Sequence, residues 1–524
     1  MKKKNKNKRA GHIQRPYANV NHTPTLSVCM IVKNEEENLP RALGSIQGLA
    51  DEIIVVDTGS TDRTVEIART FGAKVYFFEW CDDFSAARNE SLRHATCDHI
   101  LWLDGDDELP KKEHEKIKKD LLIKKDHAFY LHIKNNLQSH ENVSIQLRMF
   151  PNKRGIRFSG RVHEQVYDAI VDAGIKMSLC HATIIHHGYL NNEDIIKKLK
   201  RNEVLLKQEL ENNPDKANTL LFLARTLKGL NKIDEASHCL DILIERAREG
   251  VEFRSTDLFR IVLVEKTSIL CLNNRLGDAI SLMEEFNAPQ GKDNLINFTM
   301  AELYYKSGDY ENAYRYLERM RSETFEAWLL PINPRVCRRN LNTYLGVSSL
   351  FVKDYATARM CFNDLIYDEP DNREYYHYLI LCEERAGNID RAIKICAEAS
   401  ERFEGEASFM KKRLFLLIEK GDINGACNEL ALIDSIHYDL EVLTGGFLLG
   451  CLTLNLNRIN HFYELLLKTL LMQYKPFPED CLKIKGMLEK LGEGKSLSFF
   501  ERGLNYLVDL PDIQDERSKI NPIE

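Results

Sequence analysis

The chain has 524 residues, too many for one ordinary hydrophobic core, so two or three domains are expected. Its 44% hydrophobic and 29% charged residues match an ordinary soluble composition. A net charge of −7, from 72 basic and 79 acidic residues, gives no electrostatic case for nucleic acid, and no apolar run reaches the ~18 residues of a membrane span.

The chain opens on a basic block, MKKKNKNKR, with no apolar segment after it. It reads as a solvated, disordered tail over residues 1–24 and not as a secretory signal. The 13 cysteines are scattered and form no CxxC pair. A cytoplasmic protein with unpaired, mostly buried thiols is expected, without a cysteine-based zinc site.

LSVCMIV is a strand candidate, NLPRALGSIQGL a helix and DEIIVVDTG a second buried strand. DRTVEIARTFG is a helix ending on Gly72, KVYFFEW a third strand, FSAARNESLRHAT a helix and HILWLD a fourth strand. Strands alternating with helices of this length predict an α/β domain with a largely parallel sheet, whose ligands bind beyond the carboxyl ends of the strands. Lys33, Asn34 and Glu35 follow the first strand, Asp57 closes the second, and Asp104 to Asp107 follow the fourth.

LWLDGDDE is the densest chemical signal. A buried strand ending in Asp104, Asp106, Asp107 and Glu108 suits a hard divalent cation, Mg²⁺ or Mn²⁺, and hence phosphate chemistry. An EF-hand is excluded. Counted from Asp104, its glycine position is Leu109.

From about residue 195 amphipathic helices take over. LNKIDEASHCL, NRLGDAISLM, KSGDYENAYRYL, FVKDYATARMCF, RAGNIDRAIKIC and EKGDINGACNEL share a polar turn, an apolar or aromatic residue and then a small alanine. The alanines are Ala236, Ala279, Ala313, Ala358, Ala392 and Ala426, at intervals of 43, 34, 45, 34 and 34 residues. A 34-residue helix–turn–helix period is the tetratricopeptide signature. NRINHFYELL resembles a seventh copy, with Phe462 at the alanine position. The expected domains are an α/β domain over 25–192, helical repeats over 193–470 and a helical extension over 471–524.

VCMIVKNEEENLPRAL, ADEIIVVDTGSTDRTVEIARTFGAKV, FSAARNESLRHA and LWLDGDDEL, in this order, resemble family 2 glycosyltransferases of the GT-A fold. The subgroup most resembled couples a short GT-A domain to tetratricopeptide repeats and includes peptide S-glycosyltransferases of the glycocin type. The resemblance implies a UDP-sugar donor, a divalent metal and inversion at the anomeric carbon. It assigns Asp106 to the metal, and Asp104 with Gly105 to the donor, Asp104 through ribose or through water on the metal. Asp57 would hold the base or ribose, with capping of the next helix as the alternative. Val32, Asn34 and Glu35 would line the nucleotide cleft. Arg88 would lie near the diphosphate, a surface arginine being the alternative.

In RFSGRVHEQV the resemblance makes Glu164 the general base, with His163 as rival and a structural pair as the third reading. In IIHHGY the subgroup pattern makes His186 a metal ligand, against a buried structural histidine. The expected function is transfer of a hexose, of glucose or N-acetylglucosamine type, to a peptide or protein acceptor bound by the repeats. The alternatives are a lipid-linked or polysaccharide acceptor, and a non-catalytic scaffold with an inactive GT-A domain. The repeats could instead serve docking or oligomerisation, a homodimer included.

Overall fold

In the computed structural model the described residues are 23–433, apart from 137–140, 189–191, 252, 254–255, 287–292, 321–331 and 405, with scattered positions between 442 and 462. Nearly all of the basic tail, the seventh repeat copy except His461 and Phe462, and the extension 471–524 lie outside the described residues.

The N-terminal elements run β1 (Leu26–Val32), α1 (Leu39–Ile46), β2 (Glu52–Asp57), α2 (Thr64–Thr70), β3 (Lys74–Phe77), α3 (Phe84–His94) and β4 (His99–Asp104), close to the sequence expectation. They continue through β5 (Asp107–Glu108), α4 (His114–Ile123), β6 (His127–Asn136), β7 (Glu141–Pro151), α5 (Tyr167–Asp172) and β8 (Lys176–His186). One eight-stranded sheet results, ordered β3-β2-β1-β4-β7-β6-β8-β5. Strands β3, β2, β1 and β4 are parallel, whereas β7 runs antiparallel to both neighbours and β5 antiparallel to β8. The sheet is therefore mixed, parallel in the half that reads as continuous apolar runs.

Strand β1 is apolar on both faces because both are covered. Leu26, Val28, Met30 and Val32 pack with Leu39, Leu43 and Ile46 of α1, Ala68 of α2 and Ile117 of α4. Cys29 faces the other way, into a layer with Ile54, Ile100, Phe150 and Ile170 of α5, against which Leu92 of α3 packs. Pairing of Val32 with Asp57 and of Ile31 with Asp104 brings three strand ends to one edge.

A buried carboxylate ties the far end of the parallel strands. Glu52 accepts hydrogen bonds from Ser27 Oγ (2.6 Å), Thr96 N (2.8 Å), Thr96 Oγ1 (3.0 Å) and Lys74 Nζ (2.7 Å). Burial opposes its ionisation, but the donors from Lys74, Ser27 and Thr96 prevail and bring its pKa down to about 2. A depressed carboxyl contributes stability that is complete above the ordinary carboxylate range and is lost as pH falls toward 2. We expect Glu52 to account for about 2 kcal/mol of acid-sensitive stability. Denaturant melts between pH 6 and 2.5 should show Glu52→Gln less stable at pH 6 and losing less on acidification than the wild type.

The helical half begins with α6 (Asn192–Asn212) and continues in pairs. These are α7 (Ala217–Gly229) with α8 (Ile233–Arg248), α9 (Thr256–Leu272) with α10 (Leu276–Phe286), and α11 (Asn294–Ser307) with α12 (Tyr310–Glu318). Then come α13 (Pro334–Phe351) with α14 (Tyr355–Asp368), α15 (Arg373–Arg385) with α16 (Ile389–Arg402), and α17 (Ala407–Lys420) with α18 (Ile423–Ile433). Each of the six repeat alanines lies on the second helix of its pair, and each is completely buried. The architecture is thus a GT-A-like α/β sheet followed by tetratricopeptide-like helix pairs.

The 45-residue interval between Ala313 and Ala358 contains the connection from α12 to α13, where Ile332 forms an antiparallel bridge with Val143 of β7. The chain divides into two compact units, Met1–Ile296 with Ser322–Arg338, and Asn297–Arg321 with Arg339–Glu524. Helices α6 to α10 therefore share the first unit with the sheet. In the second unit, Ala392 packs among Leu379, Ile380, Ile395 and Phe409. Ala392→Leu should cost about 1–3 kcal/mol by overpacking, read as a lower unfolding midpoint in denaturant.

Candidate active site

Two loops close over the ends of β1 and β2. Thr58 donates from N (3.0 Å) and Oγ1 (3.1 Å) to the Val32 carbonyl, so the Val32 carbonyl fastens the loops. Asn34 adopts a positive φ of 57°, accepts from Thr61 N at 2.8 Å and donates its own N–H to Ser60 Oγ at 2.9 Å. The Asp57 carboxylate is buried and accepts from Gly59 N (3.1 Å) and Ser60 N (3.1 Å), the turn-stabilising behaviour of an aspartate before a helix. Glu35 N–H donates to Thr64 Oγ1 at 2.7 Å.

The Glu35 side chain reaches the acidic turn. A Cβ on Gly105 would lie 2.8 Å from Glu35 Cγ, so glycine is what lets the stem pass. Burial, together with Asp106 and Asp104, raises the Glu35 carboxyl above its ordinary range, against the lowering effects of Asn38 and of Lys198 on α6.

Asp104 ends β4 between two arginines. Arg88 Nη2 of α3 donates to its Oδ1 at 2.6 Å, and Arg148 Nη2 of β7 approaches its Oδ2 at 3.4 Å. Both guanidinium groups lie over the Trp102 ring, 4.2 and 3.7 Å from its centroid. Burial disfavours the Asp104 charge, but Arg88 and Arg148 outweigh it and hold the carboxyl well below the usual range. Arg88 also donates from Nε to Glu164 Oε1 at 2.5 Å, is only 5% exposed, and has its own pKa raised by Asp104 and Glu164 in spite of burial. Its guanidinium is thus engaged by two carboxylates.

Glu164 is placed by a loop clamped to α3. Asn89 exchanges hydrogen bonds with the backbone of Phe158 (3.0 and 2.8 Å), Ser85 Oγ donates to the Gly160 carbonyl (2.6 Å), and Phe84 N–H donates to the Arg161 carbonyl (2.8 Å). Among the described residues Glu164 Oε2 has no hydrogen-bond partner. His163, adjacent in sequence, takes a positive φ of 55° and stacks its ring on Phe222 of α7, 4.6 Å between centroids. The residue keeps an exposed edge, yet burial of the ring, with Arg225 and Arg201 nearby, pushes it down to about 4. The pair that sequence puts side by side is divided: Glu164 joins Arg88, and His163 joins the first repeat pair.

The late histidine is delivered by sheet pairing. β5 runs antiparallel to β8 with Asp107 opposite His186, which joins residues 79 positions apart. His186 Nδ1 lies 2.9 Å from Asp107 Oδ1 and 3.4 Å from Asp106 Oδ1. His187 Nε2 pairs with Glu108 Oε2 at 2.8 Å. Burial opposes protonation of His186, but Asp107, Asp106 and Asp104 raise its pKa overall. Burial raises the Asp106 carboxyl, opposed by His186 and reinforced by Asp104 and Asp107.

Asp104, Asp107 and His186 bring one ligand atom each within 4.8 Å of one another, a group that could hold a metal ion. A Cβ on Gly188 would lie 2.8 Å from His186 Nε2 and 3.6 Å from Asp106 Oδ2. Glycine thus leaves a small space bordered by an imidazole nitrogen and a carboxylate oxygen. This donor set and the crowded negative charge fit a hard or borderline divalent cation. Sequence reasoning missed Arg148 and Trp102 and left Asp107 open. The only sequence signal was a charged residue within the otherwise apolar end of LRMFP. Gly188→Ala should fill the space: Mn²⁺ affinity measured by calorimetry should fall at least tenfold while the far-ultraviolet circular dichroism stays unchanged.

Residues 27–169 match the model of glycosyl transferase family 2. The chain is similar to a TPR repeat-containing protein of Synechococcus elongatus, 30% identical over 273 residues, which cover 50% of this chain and 65% of that protein. It is also similar to the SPbeta prophage-derived glycosyltransferase SunS of Bacillus subtilis, 29% identical over 263 residues, covering 49% of this chain and 61% of SunS. The match thus spans less than two thirds of each relative's length. Among solved structures, S. aureus TarS in complex with UDP-GlcNAc aligns at 15% identity and a TM-score of 0.30, over 57% of this chain and 91% of that one.

Proposed function

We propose that this chain, whose residues 27–169 match the model of glycosyl transferase family 2, is an inverting, metal-dependent glycosyltransferase that moves a hexose of glucose or N-acetylglucosamine type from a UDP-sugar to a peptide or protein side chain. The observation that carries this reading is the meeting of Asp57, Glu35, Asp104, Asp106, His186 and Glu164 at one end of the parallel strands, where such folds bind nucleotides. The likeness to SunS, whose name describes a glycosyltransferase, supports the reaction class. We take 25–192 as the catalytic domain and 193–470 as the repeat array.

In this reading Asp57 accepts hydrogen bonds from the base or ribose, and the β1 end with Val32, Asn34 and Glu35 shapes the cleft. Asp106 and His186 would hold Mg²⁺ or Mn²⁺, which would supply positive charge to offset that of the departing diphosphate. Asp104 and Gly105 border the donor. Arg88 is a positioning residue that fixes Asp104 and Glu164 relative to each other. Glu164 takes the proton from the acceptor nucleophile as it attacks the anomeric carbon opposite the diphosphate, whose bond to that carbon breaks. The repeats hold the acceptor, the first pair lying against the loop that carries Glu164.

Two measurements test the reading. UDP release should appear with one member of a panel of UDP-sugars, disappear in EDTA and return with Mn²⁺ or Mg²⁺; release that persists in EDTA removes the ion from the mechanism. Asp106→Ala should lower the rate by roughly 10³-fold or more. Wild type and Asp106→Ala equally inert with every donor would leave the chain as a scaffold. Mass spectrometry of candidate peptides incubated with the active donor should then show an added hexose.

A further inference from the structure

Asp107 stands with Asp104 and His186 in the group that could hold an ion, but the mechanism outlined above gives the ion to Asp106 and His186 and leaves Asp107, the most enclosed carboxylate of the site, without a part. Its Oδ2 accepts from Asp104 N–H at 2.9 Å and from Arg148 Nη1 at 3.0 Å. Its Oδ1 faces His186 Nδ1 at 2.9 Å. Arg148 is itself fixed, with Nε donating to Gln146 Oε1 at 3.0 Å and its guanidinium over Trp102. Asp107 therefore has one oxygen committed to two donors and the other aimed at one imidazole nitrogen.

An ionised carboxylate only accepts hydrogen bonds, so the nitrogen it faces must carry the proton. The opposite nitrogen, Nε2, then keeps its lone pair when the ring is neutral. Nε2 is the atom that borders the space beside Gly188, with Asp106 Oδ2 on its other side.

We propose that Asp107, anchored by Arg148 and the Asp104 N–H, is a positioning residue that fixes His186 in the Nδ1–H tautomer and so keeps Nε2 available as a ligand atom beside Asp106. The proposal rests on the metal-dependent reading above. Asp107 acts through His186 and does not itself take the ion. Arg148 plays no part at the donor; it locks the rotation of the Asp107 carboxylate.

The same geometry says what an isosteric change does. In Asp107→Asn the amide oxygen must stay on the side of Arg148 and the Asp104 N–H, because both are donors. The amide NH₂ then faces His186 Nδ1, which has to become an acceptor. The proton moves to Nε2, and the ligand atom is lost without any change of shape.

Imidazole ¹⁵N chemical shifts of metal-free protein at alkaline pH, with the His186 signal assigned by its loss in His186→Gln, test this directly. The wild type should show the Nδ1–H tautomer and Asp107→Asn the Nε2–H tautomer. The Mn²⁺ dissociation constant of Asp107→Asn should rise about 10–100-fold. An Nε2–H tautomer in the wild type overturns the proposal, and so does an unchanged tautomer in Asp107→Asn, whatever happens to the affinity. If Asp107→Asn does not fold, the wild-type tautomer decides alone. The nitrogen signal is read without metal, sugar or acceptor. Failure of the glycosyltransferase reading would therefore appear separately, as a wild-type protein with the Nδ1–H tautomer and no UDP release.

Discussion

Two arginines meet on one aspartate at the end of β4, and the candidate-site edge of the sheet is organised around that meeting. Asp104 receives Arg88 on one oxygen and Arg148 on the other, while Trp102 carries both guanidinium groups on its ring. Arg88 passes the connection to Glu164, and Arg148 passes it to Asp107. Removing one partner of such a buried arrangement leaves an uncompensated charge, at a cost of roughly 3–5 kcal/mol. Three acids that would repel one another are thereby held together by the protein's own cations. Asp106 and Glu35 lie outside this compensation, and both are pushed upward by burial and by neighbouring acids. Excess negative charge is thus concentrated where a divalent ion would relieve it.

The helical half is bound into this arrangement at its beginning. Phe222 of α7 stacks on His163, and Arg161 N–H donates to Glu209 Oε2 of α6 at 3.2 Å. Both contacts fall on the loop that presents Glu164. The sheet and the first repeat pair are therefore one physical object, although their sequence periodicities differ sharply.

The parallel strands were legible because each is a short apolar run bounded by helix and turn signals, and the repeat was legible because each small alanine fills a fully buried position. The hairpin of β6 and β7 was not. Its residues, such as His132, Lys134 and Gln146, interrupt the apolar pattern, since these strands are long and partly exposed. The acidic turn and the late histidine could each be found as motifs, but the two-residue pairing that joins them has no local signature. Arg148 was hidden for a related reason: a charged residue in a strand usually faces solvent, and only the fold shows it facing two carboxylates. The adjacency of His163 and Glu164 does not keep them together: His163, at a positive φ, stacks on Phe222, and Glu164 pairs with Arg88.

The bridge between Ile332 and Val143 gives the longest repeat interval a purpose. Among the described residues β7 pairs with β4 through Met149, Phe150 and Pro151, and the Leu147 carbonyl accepts from Trp102 Nε1 at 2.9 Å, so the margin around Val143 lies outside that ladder. Such a margin is a template on which the strand of another molecule can crystallise a ladder of its own. Ile332 occupies it at Val143, giving and receiving one hydrogen bond (3.0 and 2.6 Å). One residue of the interval that breaks the 34-residue rhythm thus closes one position of a strand margin, Ile332 against Val143.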